Sequence, residues 1–229
     1  MLKHIGVIMD GNRRWAKSHK MELYQGHNKG AENFGHICDW CLQEKIPYLT
    51  VYAFSTENWK RTDKEIHYLF GLMEKYFLEE KNRCIEKGVR IKIIGERSRF
   101  DARTMSIINN IELSTKDCKK LIVQVALSYG GRDEIIRAVK KIVADIENGN
   151  IKSLDEKSFE SYLDTAGIPD VDLVIRTGGA ENRRLSNFLP WQTIYAELFF
   201  SDLLWPEFTQ DEFNRALEYY RTVKRKLGE

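Results

Sequence analysis

No apolar run in this 229-residue chain is long enough to span a membrane. Net charge is nearly absent too: 36 Lys and Arg against 34 Asp and Glu leave +2, too little to hold nucleic acid by bulk attraction. Cysteine is sparse, at Cys38, Cys41, Cys84 and Cys118. The first two form a C-x-x-C, but it lies in a helical pattern with no second pair, so reduced cysteines on a helix are a better reading than zinc or a redox centre. The phosphate-loop lysine motif and the dinucleotide G-x-G-x-x-G are both missing. No leader is expected, because Met1-Leu2-Lys3-His4 runs straight into a strand. The expected setting is cytoplasmic, with any membrane contact peripheral. With 42% hydrophobic and 31% charged residues, no repeat and no dividing linker, residues 1–229 read as one globular domain.

The stretch from Ile5 to Trp15 carries the most chemistry. Ile5-Gly6-Val7-Ile8-Met9 is short and rich in β-branched residues, as a buried strand is. It stops at Asp10-Gly11-Asn12-Arg13-Arg14, where a turn and a helix start are expected. Backbone N–H groups and two arginines at such a point attract an anion. A carboxylate in the same place suits a metal that the anion also binds. The residues alone are equally compatible with a Mg²⁺-assisted diphosphate site and with an Asp-Gly turn flanked by solvated arginines.

Strand and helix patterns alternate along the rest of the chain. Strands are expected at 48–54, 89–94, 121–127, 171–175 and 195–200. Helices are expected over 15–20, from beyond Gly30 to about Lys45, and over 63–87, 99–113, 133–148, 154–163 and 210–226. This order predicts an α/β fold, a mostly parallel six-stranded sheet covered by helices. In such a sheet, ligands gather beyond the carboxyl ends of the strands. Three strand ends are polar in the same way: Asp10 to Arg14, Ser55 to Arg61, and Arg176-Thr177-Gly178-Gly179 with the Arg183-to-Phe188 segment that follows. They supply enough donors for one or two diphosphates and, with Glu197, two candidate metal carboxylates. The stripe Ile66, Leu69, Phe70, Met73, Phe77, with Phe34, Ile37 and Leu42, has the spacing of ordinary core.

Six ordered segments together resemble the cis-prenyltransferases, bacterial undecaprenyl diphosphate synthase above all. They are Met9-Asp10-Gly11-Asn12-x-Arg14-Trp15-Ala16, Gly26-His27, Tyr52-Ala53-Phe54-Ser55-x-Glu57-Asn58-Trp59-x-Arg61, Tyr129-Gly130-Gly131-Arg132, Ile175-Arg176-Thr177-Gly178-Gly179, and Arg184-Leu185-Ser186-Asn187-Phe188 through Glu197. The resemblance implies condensation of an allylic diphosphate, typically farnesyl diphosphate, with successive isopentenyl diphosphates. Mg²⁺ is the implied cofactor and undecaprenyl diphosphate, the lipid carrier precursor of bacterial cell-wall synthesis, the implied product. It turns the apolar stripe into the wall of a hydrophobic tunnel between sheet and helices. Asp10 would hold Mg²⁺ and assist pyrophosphate departure, with Glu197 a second metal-linked carboxylate. Gly11, Asn12 and Arg14 would cradle the allylic diphosphate, Asn12 also serving proton removal, with His27 beside it; Arg13 and Trp15 would belong to the same substrate-binding set. Ser55 would lie near the condensing carbons, Thr56, Glu57 and Asn58 would also bind substrate, and Trp59 and Arg61 would belong to a mobile loop over the site. Arg176, Arg184 and Ser186 would grip isopentenyl diphosphate. A homodimer is implied, packed through the region after Trp205.

The chain departs from the family pattern at three points. Ala180 to Leu185 is two residues longer than the family pattern, which leaves Arg183 or Arg184 as the isopentenyl anchor; Arg184 keeps the two-residue step to Ser186. Glu22-Leu23 stands where an arginine is common. Lys226-Leu227-Gly228 replaces an Arg-x-Gly tail that reaches a partner subunit. Two residues keep simpler readings: His27 as a packed histidine and Glu197 as an ion-pair partner. Two other functions fit less well. An Asp10-nucleophile phosphatase needs a second aspartate where Asn12 stands, and a silent accessory subunit generally lacks the Asp10 and Arg-x-Ser-Asn features.

Overall fold

The strand at the head of the chain lies in the middle of the sheet. In the computed structural model, which describes residues 1–151, 153–179 and 182–223, β1 (His4–Ile8) is buried at all five positions. β2 (Tyr48–Ser55) pairs with it on one side and β5 (Leu173–Arg176) on the other, both parallel. β3 (Val89–Ile94), β4 (Leu121–Tyr129) and β6 (Glu197–Phe200) complete an all-parallel sheet of order β3-β4-β2-β1-β5-β6. The chain leaves β1 toward β2 and leaves β5 toward β6, in opposite directions. The topological switch therefore falls between β1 and β5, where a crevice opens beyond the strand ends.

Side chains alternate across this sheet with the period of two that strands impose. Ile5, Val7, Val123, Val125 and Leu127 face one side, in the main core, which is closed by α2 (Leu23–Gln43), α3 (Asp63–Lys87) and α7 (Gln210–Thr222). Ile8, Ala126 and Val174 face the other, packing on Phe188 and Leu189, and Tyr129 joins them because the alternation breaks at Ser128, at φ +49°. There α5 (Gly131–Glu147) and α6 (Glu156–Glu160) form a smaller cluster through Ala138, Ile142, Phe159 and Leu163. α1 (Asn12–Ser18) follows β1, and α4 (Ala102–Ser114) lies between β3 and β4.

The sequence reading and the structure differ at three places. α2 begins at Leu23, so Gly26, His27 and Gly30 lie inside a helix rather than before one. The two glycines permit close contact. A Cβ on Gly26 would sit 2.1 Å from the Asn12 carbonyl oxygen, and one on Gly30 would sit 2.5 Å from Asn12 Oδ1. The 55–61 loop contains a tight 3-10 turn, Thr56–Lys60. β6 opens at Glu197 instead of enclosing it. The segment after Trp205 buries Trp205, Phe208, Phe213, Leu217 and Tyr220 in the chain's own core. The end of the expected last helix, and with it Lys226-Leu227-Gly228, lies outside the described residues, as do Ala180 and Glu181.

Candidate active site

The crevice at the switch point holds a cluster built from two strand ends. Asp10 follows β1, and each of its carboxylate oxygens meets an arginine: Oδ1 meets Arg14 Nη2 at 3.2 Å and Oδ2 meets Arg176 Nη2 at 2.9 Å. Both arginines are held by backbone as well. Arg14 donates to the Gly178 carbonyl at 2.6 Å, and Arg176 donates to the Arg184 carbonyl and to Ser186 Oγ at 2.7 Å. Arg176 is 6% exposed, so its charge is largely removed from water and is offset by these partners. Gly178, at φ +107°, has no room for a side chain, since a Cβ would lie 2.5 Å from Arg14 Nη2.

Several supports here were not assigned from sequence. Thr177 Oγ1 accepts from Asp10 N at 3.0 Å and donates to Asp10 O at 2.8 Å, fixing the loop at both its polar groups. The Trp205–Glu207 turn braces the loop from the other side: Trp205 N donates to Asp10 O at 3.0 Å and its indole N–H to Gly30 O at 2.8 Å. Asn33 Nδ2 in turn donates to the carbonyls of Trp205 and Phe208. Tryptophan next to proline gave no local signal of this bracing role.

A second charged group lies beside the first. Glu65, one helical turn beyond Arg61, accepts from Arg61 Nη1 at 2.8 Å and lies 3.9 Å from Arg13 Nε and 4.0 Å from His27 Nε2. The i, i+4 spacing from Arg61 was the one available signal for it. Burial, with Arg61 and Arg13 nearby, lowers the His27 imidazole to about 4, so the ring is neutral near pH 7. Its Nε2 is buried without a hydrogen bond, as is Asn12 Oδ1. Two buried, unpartnered polar atoms at one place are uncommon in a folded protein and point to a missing ligand group.

The 55–61 segment is tied down at several points. Ser55 N donates to Asn58 Oδ1 at 3.0 Å and Trp59 Nε1 to Ser128 Oγ at 2.9 Å, while Thr56 Oγ1 donates to Glu57 Oε2 at 3.2 Å. Asn187 Nδ2 reaches Glu57 Oε1 at 3.1 Å and joins this segment to the one holding Ser186. Burial acts to raise the Glu57 carboxyl, but hydrogen bonds from its own backbone, Ser55, Asn187 and Thr56 outweigh it and hold the group below its ordinary value. Trp15 stacks on His19 at 4.4 Å.

Asn12 and His27 also mark the mouth of an apolar cavity of about 130 Å³ between α2, α3 and the sheet. Phe34, Val51, Ala53, Phe54, Leu69, Phe70, Met73 and Phe77 are among its walls, so much of the stripe read as core lines empty space. A register shift between Tyr52 and Phe54 brings both Ala53 and Phe54 to this side.

Asp10, Arg14, Arg176 and Ser186 thus meet, and Asn12, Arg13, His27 and Arg61 border the same region. Glu197 does not join them. Leu173 pairs with Glu197 and Arg176 with Phe200, so Glu197 lies at the amino end of its strand, roughly 10 Å or more from the edge that carries Asp10. Alternation along a strand does not reveal which end a residue occupies, and this undid the pairing of the two carboxylates within one chain. Among the described residues no three His, Cys, Asp or Glu side chains form a metal cage.

A family model described as "Putative undecaprenyl diphosphate synthase" matches residues 8–228. The chain belongs to this family of prenyl transferases. It is 44% identical to an isoprenyl transferase of Aquifex aeolicus over 226 residues, 99% of this chain and 95% of that one. It is 43% identical, over 99% of its length and 89% of the relative's, to a tritrans,polycis-undecaprenyl-diphosphate synthase (geranylgeranyl-diphosphate specific) of Picrophilus torridus. Among solved structures, lavandulyl diphosphate synthase from Lavandula x intermedia, in complex with dimethylallyl diphosphate, superposes with a TM-score of 0.95 at 33% identity, covering 99% of this chain and 98% of that one. The family's parallel six-stranded sheet is the fold described above.

Proposed function

We propose that the chain condenses an allylic diphosphate, farnesyl diphosphate in the first instance, with isopentenyl diphosphate to give a cis-prenyl diphosphate. The observation that carries this reading is one junction: a cationic cluster around Asp10 opens, through Asn12 and His27, onto a cavity walled by hydrocarbon side chains. A molecule with a doubly phosphorylated head and an apolar tail matches both halves.

Asp10 fits Mg²⁺ in the mode of one carboxylate plus substrate oxygens, and that mode needs no second protein ligand. Bound there, Mg²⁺ would stabilise the charge that gathers on departing pyrophosphate. Arg14 and Arg176, anchored by the Gly178 and Arg184 carbonyls, would offer their remaining N–H groups to the diphosphates, each charge-assisted hydrogen bond contributing roughly 1.5–3 kcal/mol. Ser186 and Arg184 would hold isopentenyl diphosphate beside them. The allylic C–O bond breaks, the isopentenyl double bond attacks the resulting carbocation, and a proton leaves the adjacent carbon near Asn12. Apolar walls keep water from capturing the cation.

Among the described residues no helix is long and apolar enough to cross a membrane, so contact with lipid would be peripheral. A homodimer is supported by the edge position of β6, next to Ile194 and Tyr195, which are 71% and 77% exposed. Undecaprenyl is the length implied by the resemblance. Radiolabelled isopentenyl diphosphate given with farnesyl diphosphate and Mg²⁺ should enter butanol-extractable product, and should not after chelation or in Asp10→Ala. Release of inorganic phosphate from a monoester, without isopentenyl diphosphate, would instead indicate a phosphatase.

A further inference from the structure

The Tyr129-Gly130-Gly131-Arg132 string turns the corner from β4 into α5. Both of its glycines are crowded. A Cβ on Gly130 would lie 2.5 Å from Thr56 Oγ1 and 2.8 Å from Asn187 Nδ2, and one on Gly131 would overlap the Pro190 ring. The corner is thus a seat on which the 55–61 segment, after β2, meets the 184–190 segment, after β5. Those two strands lie on opposite sides of β1.

Asn187 occupies the seat. Its φ of +65° is left-handed, a conformation that asparagine adopts more readily than most residues. Its carbonyl accepts from Gly131 N at 2.8 Å and its Oδ1 from Arg132 N at 2.9 Å. These bonds satisfy the start of α5, where Gly130 has no side chain to cap it. The other end of the amide, Nδ2, donates to Glu57 Oε1 at 3.1 Å. Among the described residues this is the one hydrogen bond between the 55–61 and 184–190 segments. Against the effect of burial, Glu57 is kept ionised by bonds from its own backbone, Ser55, Asn187 and Thr56. A carboxylate so committed is a poor partner for a diphosphate of the same sign.

We propose that the Asn187–Glu57 bond is a strut that fixes the distance between the two substrates, both residues being positioning residues. This rests on the prenyl transfer proposed above, in which the 55–61 segment borders the allylic substrate and Ser186, beside Asn187, holds isopentenyl diphosphate. The diphosphate donors are anchored without the strut: Arg176 bonds to Ser186 and Arg14 to Gly178. Losing the strut should therefore spare the binding of either substrate alone. Carbon–carbon bond formation is less forgiving, because a misplacement of about 1 Å can slow a reaction about a hundredfold. Glu57 is exposed and Asn187 half-buried, so the fold stands without their bond.

The test measures binding and chemistry separately on the full chain with Mg²⁺. Isopentenyl diphosphate alone and farnesyl thiodiphosphate alone are titrated by calorimetry. The first condensation is followed with labelled isopentenyl diphosphate and farnesyl diphosphate under enzyme excess. Asn187→Gly keeps the left-handed backbone, and Glu57→Ala leaves the Arg132 N–H capped. Each should slow the first condensation by about ten- to a hundredfold and leave both dissociation constants within about threefold. The double variant should be no slower than the slower single one, since both remove the same bond. Glu57→Gln keeps an oxygen for Asn187 Nδ2 and should stay close to the unaltered rate. Losses that multiply in the double variant, binding lost in step with rate, a slow Asn187→Gly beside a normal Glu57→Ala, or a Glu57→Gln as slow as Glu57→Ala would each overturn the strut. An unaltered chain that forms no labelled product overturns prenyl transfer itself, and the strut with it.

Discussion

The two halves of the site are held together in opposite ways. Around Asp10 nearly every polar group is fixed by another: two arginines on the carboxylate, Thr177 on its backbone, and Trp205 and Gly178 at the flanks. Around the apolar cavity one wall is the sheet, and the facing wall, α3, is mostly half-buried or exposed. A diphosphate has one shape at every cycle, so its site gains from donors fixed in advance. A prenyl tail changes length at every cycle, so its site must yield. Elements with few buried apolar contacts are the ones that open most readily.

The comparison can be broken from the polar side first. Asp10→Asn keeps the shape but removes the charge that would hold the metal. Turnover should fall by about 10²–10³, measured as label incorporation, and the melting temperature should fall as well, because the buried Arg176 loses its counter-charge. Arg176→Lys should come next. A point charge cannot serve Asp10 and Ser186 together as the guanidinium fork does, so the loss of one charge-assisted bond should lower kcat/KM by about ten- to a hundredfold.

Acid separates stability from chemistry. His4 and His27 are both lowered to about 4 by burial, the latter also by Arg61 and Arg13. Both are neutral in the folded chain, while unfolded histidines take up a proton near 6.5. Stability is therefore full above about pH 6.5 and declines as pH falls toward 4, by up to roughly 3 kcal/mol for each histidine. His4 bonds to the Pro169 carbonyl and Thr50 Oγ1 far from the crevice, so His4→Gln should flatten the acid dependence of melting. The smallest effect should come from Thr62→Ala. Thr62 Oγ1 caps α3 by accepting from Glu65 N, and its loss should cost about 1 kcal/mol, seen as a lower denaturation midpoint and faster amide exchange in α3.

The polar half was the more legible in sequence. Asp10, Arg14, Arg176 and Ser186 sit in short, unusual strings at strand ends, where backbone direction alone brings them to one edge. The apolar half was legible only as a stripe, because Leu69, Phe70, Met73 and Phe77 have the same spacing whether they face packed core or empty space. The start of α2 was not legible, since Gly26 and Gly30 sit inside the helix, where they let Asn12 and Trp205 approach. Glu197 was misplaced because its position depends on the β5–β6 register, which is set by pairing across the sheet. Trp205 acts through contacts distant in sequence and left no local pattern, and the i, i+4 step from Arg61 to Glu65 is too common on helices to single Glu65 out.

Amide exchange with two ligands tests the division most directly. Inorganic pyrophosphate with Mg²⁺ should protect residues 10–14 and 176–178 and leave 27–34 and 69–77 as they were. A non-hydrolysable farnesyl diphosphate analogue should protect both sets. Equal protection of both by pyrophosphate alone, or none near Asp10 with either ligand, would contradict a head held in a fixed cluster and a tail held in a yielding cavity.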